Sequence, residues 1–175
     1  MARTDISIGD AKLCDLESCA AIACESEIGR RYRFDRETLA GSMRRALESG
    51  AIIVAVRSAA SPGATASPGT ATTGVPGPII GFAWIDPRGA FGSAPYLKLI
   101  AVDERARSGG VGAALLAEFE RRAPPKARML TLLVSDFNVG AIAFYERHGF
   151  ARAGALPDFA VDGVTEILMT KRRAP

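Results

Sequence analysis

A basic loop followed by closely spaced glycines is the part of the sequence best suited to chemistry. The apolar segment 96–102 (YLKLIAV) is typical of a strand, and Arg107, Gly110 and Gly112 follow it at the start of an amphipathic segment. The first amides of a helix have no hydrogen-bond partner inside it and lie at the positive end of its dipole. Glycines at this point let a phosphate approach the backbone, and an arginine adds a forked, charged contact. The pattern therefore predicts a pyrophosphate-binding site.

Two other interpretations of these glycines stay open at this point. They could only relieve strain in a turn. They could also begin a dinucleotide-binding fingerprint, with Asp136 after the next strand facing a ribose. Against the dinucleotide, Leu115 replaces the third glycine, the loop 103–108 is long, and the segment follows three strands predicted to be antiparallel. The sequence has no phosphate-loop pattern G-x-x-x-x-G-K-[ST].

Two short motifs follow neighbouring predicted strands. The first, R-x-x-G-x-G, begins at Arg107, and the second, N-x-x-A-x-x-F-Y-x-x-x-G-F, occupies residues 138–150. Together they resemble the acetyl-coenzyme A signature and the second motif of the GCN5-related N-acetyltransferase (GNAT) family. The resemblance spans nearly the whole chain. Glu104 departs from it, because many family members have proline at this position.

The resemblance implies an acetyl-coenzyme A-dependent N-acetyltransferase that acts on a primary amine of a small molecule or peptide. Acetyl-coenzyme A would be a co-substrate, its pantetheine arm lying along the strand that ends at Val102. Tyr145 would lie near the sulfur, and an ordinary pKa of about 10 keeps its hydroxyl protonated at neutral pH, as an acid for the leaving thiolate requires. The cofactor-binding residues implied in this way are Ile100, Ala101, Val102, Arg107, Ser108, Gly109, Gly110, Val111, Gly112, Asn138 and Tyr145.

The acceptor side of the site is marked less clearly. An acceptor ammonium with a pKa of about 10 must lose a proton before it attacks. Glu27 is the candidate base, and water is the alternative. Lys98, on the strand where some relatives carry an acid, cannot act as a base unless its pKa is strongly lowered. The candidate residues for the acceptor wall are Tyr32, Phe34, Tyr96 and Phe159.

Cysteine and metal chemistry are not expected. Cys14, Cys19 and Cys24 lie five residues apart in one predicted helix. Successive thiols are therefore about 140° apart around the axis and share no face. They make poor metal ligands or disulfide partners, and a single histidine, His148, removes most zinc schemes. We expect direct acetyl transfer without an acyl-cysteine, and no metal.

Hydrophobic periodicity and turn residues predict the elements that position these side chains. Their order is β-α-α-β-β-β-α-β-α-β-β. This order predicts an α/β (α+β) fold of the GNAT type, with a mixed, mostly antiparallel sheet of six to seven strands flanked by about four helices. The one strand–helix–strand crossover makes the strand at 129–134 parallel to that at 96–102. Turns are expected at 86–89 and at Asp162-Gly163.

The first third of the chain carries three further predictions. The spacing of apolar residues favours a helix over 10–24, and a loop or broken helix over 25–34. Asp35 should cap the next helix, which Gly50 ends. Segment 58–77 has no charged or aromatic residue. This composition cannot offset its ordering entropy, so we interpret the segment as a mobile insertion within a single domain of residues 1–175.

Length and charge limit the classes of function. The 175 residues suit one domain, and a net charge of +3 does not call for a nucleic acid or a charged membrane as partner. No apolar run reaches the roughly 18 residues of a membrane span. The start of the chain has no apolar signal core, so we expect a cytoplasmic protein. A homodimer is compatible with the resemblance. The alternatives to an enzyme of this family are a non-catalytic acyl-coenzyme A sensor or scaffold and a dinucleotide-binding oxidoreductase.

Overall fold

The computed structural model describes residues 6–58 and 77–173, which build one mixed sheet with helices on both faces. The seven strands are β1 (Ile6–Asp10), β2 (Ile52–Ser58), β3 (Ile79–Ala90), β4 (Ala94–Val102), β5 (Met129–Ser135), β6 (Ala151–Pro157) and β7 (Thr165–Arg172). The five helices are α1 (Leu16–Glu25), α2 (Glu27–Arg31), α3 (Arg36–Glu48), α4 (Val111–Arg122) and α5 (Val139–Arg147). The sheet order is β1-β2-β3-β4-β5-β7-β6.

The sheet is antiparallel except at its centre. Strands β1 to β4 pair as an antiparallel meander, and β5, β7 and β6 form a second antiparallel group. The two groups meet where β5 pairs parallel to β4, after the crossover through α4. The predicted fold class and the predicted parallel crossover are therefore confirmed.

Each face of the sheet buries a separate apolar cluster. Leu115, Leu116 and Phe119 of α4 pack on one face together with α5. On the other face, α1 and α3 cover the first part of the sheet, with Leu16 and Met43 fully buried. As predicted, the side chain of Asp35 caps α3, accepting a hydrogen bond from the Thr38 amide at 2.8 Å.

One predicted turn is displaced, and the other forms within a longer loop. Strand β3 continues through 86–89. The side chain of Asp86 accepts a hydrogen bond from the Arg88 amide at 3.0 Å, and the pairing with β4 shifts register there. The turn lies at 91–93 instead. Asp162-Gly163 forms a β-turn, closed by a 3.1 Å hydrogen bond from the Val164 amide to the Val161 carbonyl, but this turn does not join the two strands directly. The connection between β6 and β7 spans 158–164, closed by a 2.7 Å hydrogen bond from the Gly163 amide to Asp158 Oδ1.

The first helix begins later than predicted. Strand β1 extends to Asp10, residues 13–15 form a single 3₁₀ turn, and α1 starts at Leu16. Asp15 explains this shift, because its carboxylate accepts the Lys12 amide at 2.8 Å and pairs with Arg57 at 2.6 Å. The segment 25–34, predicted as a loop or broken helix, contains the short α2. The predicted insertion at 58–77 lies outside the described residues, apart from its two end residues.

Candidate functional site

A cleft opens in the middle of the sheet because β4 and β5 pair over only two residues. The strands are in register at Tyr96 with Thr131 and at Leu97 with Leu132, and then diverge. The divergence follows an irregularity in β4, where the pairing with β3 skips Lys98. The resulting cleft has a volume of about 630 Å³. Its walls come from β4, β5, α5 and the starts of α2 and α4, and include Glu27, Lys98, Ile100, Ala101, Val102, Arg107, Gly112, Phe137, Asn138, Phe144 and Tyr145.

The free edge of β4 supplies backbone hydrogen-bond donors to this cleft. The Asp103 amide donates to the Ile80 carbonyl of β3 at 2.9 Å. Successive residues of a strand direct their amides to opposite edges. The amides of Val102 and Ile100 therefore face away from β3, toward the cleft, whereas the amide of Ala101 faces β3.

The start of α4 supplies a second group of donors. Ala114 is the first residue whose amide bonds back into the helix, to the Gly110 carbonyl at 2.9 Å. Within the described part of the chain, the amides of Val111, Gly112 and Ala113 have no backbone partner. Gly110 caps the helix at φ +80°, a conformation that favours glycine. Free amides at the positive end of the helix dipole are the features that favour an anion at such a helix start.

Arg107 lies beside these amides and is half exposed. Its Nη1 is 3.2 Å from Glu104 Oε1, within the same loop. Arg107 also borders a neighbouring hollow of about 450 Å³, which Arg30 and Arg105 line as well. Three guanidinium groups therefore border this hollow, and of these three only that of Arg107 also lines the cleft.

Tyr145 lines the cleft with its phenol ring, and it is the one tyrosine among the lining residues described. Its ring packs edge-on against Phe144 and Phe150, with centroids 5.3 and 5.8 Å away. Burial raises the pKa of Tyr145 well above its usual value, and the nearby Tyr96 adds to the shift. No group among the described residues hydrogen-bonds its hydroxyl. Since every fully buried side-chain oxygen described has a partner, this hydroxyl is in contact with the cleft.

Asn138 lines the cleft from the N-terminal end of α5. Its Oδ1 accepts the Ala141 amide at 3.2 Å and so caps the helix. The side-chain nitrogen is left for a ligand. The predicted residues Ser108, Gly109, Gly110 and Val111 do not line the cleft, and the Val111 side chain is buried in the core. Gly109 and Gly110 can contribute only their backbone to a site, and so can Val111, whose side chain is buried.

The predicted acceptor residues lie in different places. Glu27 lines the cleft from the first turn of α2. Tyr32 and Phe34 stack edge-on, with centroids 6.0 Å apart, and Tyr32 also contacts Phe137 of the cleft. Phe159 is 63% exposed in the loop between β6 and β7.

Sequence reasoning missed a polar cluster beside Tyr32. The Tyr32 hydroxyl donates to Glu166 Oε1, and Ser135 Oγ donates to the same oxygen at 3.0 Å. Ser135 and Glu166 are paired residues of β5 and β7. No local motif marks them, because their proximity depends on the register of two strands that are 30 residues apart.

The cysteines stay apart from the cleft. Cys14 is exposed, Cys24 is partly buried, and Cys19 is buried, which raises the pKa of its thiol to about 12. None of the three lines the cleft walls given by the described residues. Across residues 6–58 and 77–173, no three His, Cys, Asp or Glu side chains are grouped so that they could hold a metal ion. No helix in these ranges has the length and apolar character needed to cross a membrane.

Comparisons with known proteins match this arrangement. Residues 45–150 match the model of the "Acetyltransferase (GNAT) family". Blasticidin-S acetyltransferase of Streptomyces morookaense is 33% identical over 76 residues, which are 43% of this chain and 55% of that protein. A candidate phosphinothricin acetyltransferase of Bacillus subtilis (strain 168) is 37% identical over 87 residues, 46% of this chain and 53% of its own. The chain thus matches about half the length of these curated relatives.

Solved structures match over more of the chain. Ard1 of Thermoplasma volcanium superposes with a TM-score of 0.71 at 22% identity, covering 97% of this chain and 99% of its own. A candidate streptothricin acetyltransferase of Bacillus anthracis, solved with acetyl coenzyme A, has a TM-score of 0.55 at 22% identity and covers 71% of this chain and 63% of its own. At these identities the likeness concerns the fold.

Proposed function

Because this chain belongs to the GNAT family of acetyltransferases, we propose that it transfers the acetyl group of acetyl-coenzyme A directly to a primary amine of a small molecule or peptide. One observation carries the proposal. The free amide of Gly112 at the start of α4, the cleft-facing amides of β4 and the hydroxyl of Tyr145 all border one cleft. They supply an anion site, an oxyanion site and an acid.

The pyrophosphate of the co-substrate would bind at α4. The amides of Val111, Gly112 and Ala113 offer hydrogen bonds at the positive end of the helix, and Arg107 adds a charged contact. Gly112 lines the cleft without a side chain, so a phosphate can reach the backbone there. The predicted contribution of residues 107–112 therefore comes from one side chain and several amides.

The thioester would lie along β4. The amides of Ile100 and Val102 face the cleft and can bind the thioester oxygen as negative charge develops on it. Such donors typically contribute about 3 kcal/mol to lowering the barrier. The predicted residue Ala101 contributes no amide, because its amide faces β3. The nitrogen of the Asn138 side chain is available to the pantetheine arm.

Tyr145 would protonate the departing sulfur. The amine nitrogen forms a bond to the acetyl carbon, the carbon–sulfur bond breaks, and its electron pair goes to sulfur, which takes the phenolic proton. The proton that the newly bonded nitrogen then loses is released to water, and water returns a proton to the phenolate. Burial raises the pKa of Tyr145, so the acid is fully protonated at neutral pH. Glu27, at the cleft edge, remains the predicted base for the acceptor, with water as the alternative.

The acceptor is a basic amine in this proposal. The names of the relatives associate them with blasticidin S and phosphinothricin, and that of one fold neighbour with streptothricin. All three names describe acetyltransferases, and we extend only the reaction class, proposed here as amine acetylation, to this chain. A homodimer and a cytoplasmic location stay predictions.

Release of free thiol tests the proposal. The protein is mixed with acetyl-coenzyme A and a panel of primary amines, and a thiol reagent reports coenzyme A. Amine-dependent thiol release is expected. Binding of acetyl-coenzyme A without turnover on any amine would favour the sensor alternative, and binding of NAD(P) without coenzyme A would favour the oxidoreductase.

A further inference from the structure

A buried carboxylate without a cationic partner lies beside the cleft. Glu166 is 6% exposed. Its Oε1 accepts hydrogen bonds from Tyr32 and Ser135, whose hydroxyl oxygens are 2.9 Å apart. Among the described residues, no lysine, arginine or histidine forms an ion pair with it. Buried charges in proteins are normally paired. This carboxylate is therefore suited to binding a cation from outside the chain.

The second oxygen of Glu166 is available to that cation. Oε2 has no hydrogen-bond partner among the residues described. Every fully buried side-chain oxygen in that part of the chain does have one. Oε2 must therefore be in contact with solvent, although most of the side chain is covered.

The register of the sheet places this carboxylate level with the thioester site. The last pair between β4 and β5 is Leu97 with Leu132. Ile100 and Ser135 each lie three residues further along these diverging strands, and Ser135 pairs with Glu166 on the next strand. At about 3.3 Å per residue, both lie about 10 Å past the last pair. Glu166 thus lies level with the Ile100 amide along the sheet, one strand beyond the cleft wall formed by β5. Its partner Tyr32 contacts Phe137, which lines the cleft.

Two cationic side chains of the neighbouring strand and helix contact aromatic rings instead of this carboxylate, and the nearest other carboxylate, Asp136, is exposed. Lys98 places its ammonium 4.6 Å from the ring centre of Trp84, and Arg31 places its guanidinium 4.0 Å from that of Phe137. Burial raises the pKa of both Tyr32 and Tyr96 to about 12, and Glu166 adds to both shifts. Both phenols therefore stay neutral at neutral pH.

We propose that Glu166 binds the ammonium group of the acceptor and accepts its proton, while Tyr32 and Ser135 hold the carboxylate in place. This inference rests on the acetyltransferase function proposed above. One proton moves from the nitrogen to a carboxylate oxygen, and the freed lone pair forms the bond to the acetyl carbon. Glu27 lines the cleft too but is exposed, so its carboxylate interacts with water more than with a ligand.

The test measures binding of butylammonium to the complex of the protein with coenzyme A, which cannot turn over. Calorimetry is carried out on wild type, Glu166→Gln, Glu27→Gln and the control Asp136→Asn, which removes an exposed carboxylate next to Ser135. We expect wild type and the control to bind equally, and Glu166→Gln to bind at least about tenfold more weakly. The uncharged analogue 1-butanol should not distinguish wild type from Glu166→Gln.

Three results would overturn the inference: wild type that does not bind butylammonium, equal affinity in Glu166→Gln, or a loss confined to Glu27→Gln. Coenzyme A affinity is measured first on every variant and reports whether it is folded. If Glu166→Gln does not fold, the variant Tyr32→Phe replaces it, since it removes one hydrogen-bond donor to the carboxylate. Tyr32→Phe should bind butylammonium more weakly, and unchanged affinity would contradict the inference. Failure of wild type to bind coenzyme A would instead reject the proposed function.

Discussion

The guanidinium of Arg107 and the carboxylate of Glu104 face each other across one turn of the loop before α4, with Nη1 3.2 Å from Oε1. Both side chains are at least half exposed. An exposed pair of this kind contributes only about 0–1 kcal/mol. A phosphate offers Arg107 a stronger, charge-assisted partner, so Glu104 competes with the ligand without excluding it.

This competition predicts opposite effects for the two residues. Arg107→Ala should weaken acetyl-coenzyme A binding about tenfold or more, since a hydrogen bond to a charged group contributes about 1.5–3 kcal/mol. Glu104→Gln should strengthen binding by up to about fivefold, because it frees the guanidinium. Calorimetric titration measures both. Arg88→Ala, at the far end of β3, is the control, and unchanged affinity in Arg107→Ala would contradict the anion site.

The two glycines at the start of α4, Gly110 and Gly112, should respond differently to substitution by alanine. A Cβ at Gly112 would meet Phe144 at 3.6 Å and Val102 at 4.0 Å, both ordinary contacts, so the protein itself has room for it. Gly112→Ala should therefore keep its melting temperature and lose acetyl-coenzyme A affinity, because the new methyl group enters the cleft. Gly110→Ala should instead lose about 1 kcal/mol of unfolding free energy, because of its positive φ. Gly41→Ala in α3 is the control for affinity.

The result for Gly112→Ala separates two reasons for having glycine. If acetyl-coenzyme A binds this variant as tightly as wild type, the proposal that a phosphate closely approaches the backbone at Gly112 is wrong. Denaturation and titration on the same samples give both quantities.

The parts of the site that sequence predicted are contiguous in the chain. The donors of α4 and the cap at Asn138 depend on residues within one turn of each other, so their types and spacing are sufficient. The crossover that makes β5 parallel to β4 follows from a general rule of handedness and connection length. These features were open to prediction.

The parts that sequence missed depend on register or on side chains that replace backbone contacts. Glu166 reaches Tyr32 only because β7 pairs with β5 in one particular register. The turn predicted at 86–89 fails because the Asp86 side chain accepts an amide within a strand. The late start of α1 depends on an ion pair between Asp15 and Arg57. Periodicity contains no information on such pairings.

Tyr145→Phe should lower turnover and leave binding unchanged. The hydroxyl has no partner among the described residues, so its loss should not destabilise the core. Loss of a general acid typically costs about 10²–10⁴-fold in rate. We expect kcat to decrease by about this factor or slightly less, while the affinity for acetyl-coenzyme A stays within about twofold of wild type. Steady-state kinetics and titration measure the two.

The pH dependence provides a second check on Tyr145. Because burial raises the pKa of this phenol, its deprotonation should not limit the wild-type rate below about pH 10. An alkaline decrease in kcat below that pH that disappears in Tyr145→Phe would contradict the raised pKa. Equal kcat values in the two proteins would remove the acid role altogether.

Glu118 should make the protein sensitive to acid. Hydrogen bonding to Arg121 lowers the pKa of this carboxyl from 4.5 to about 2; burial opposes the shift and Arg122 adds to it. A lowered pKa means that the contribution to stability is complete above the unfolded value, about pH 4.5, and is lost as the pH falls toward 2. Glu118→Gln should therefore reduce the unfolding free energy by about 1–3 kcal/mol at pH 7 and by much less near pH 2. Urea denaturation at several pH values measures this difference, with Glu17→Gln, an exposed carboxylate of α1, as the control. A deficit that is the same at every pH would show that the carboxylate acts by packing and not by charge.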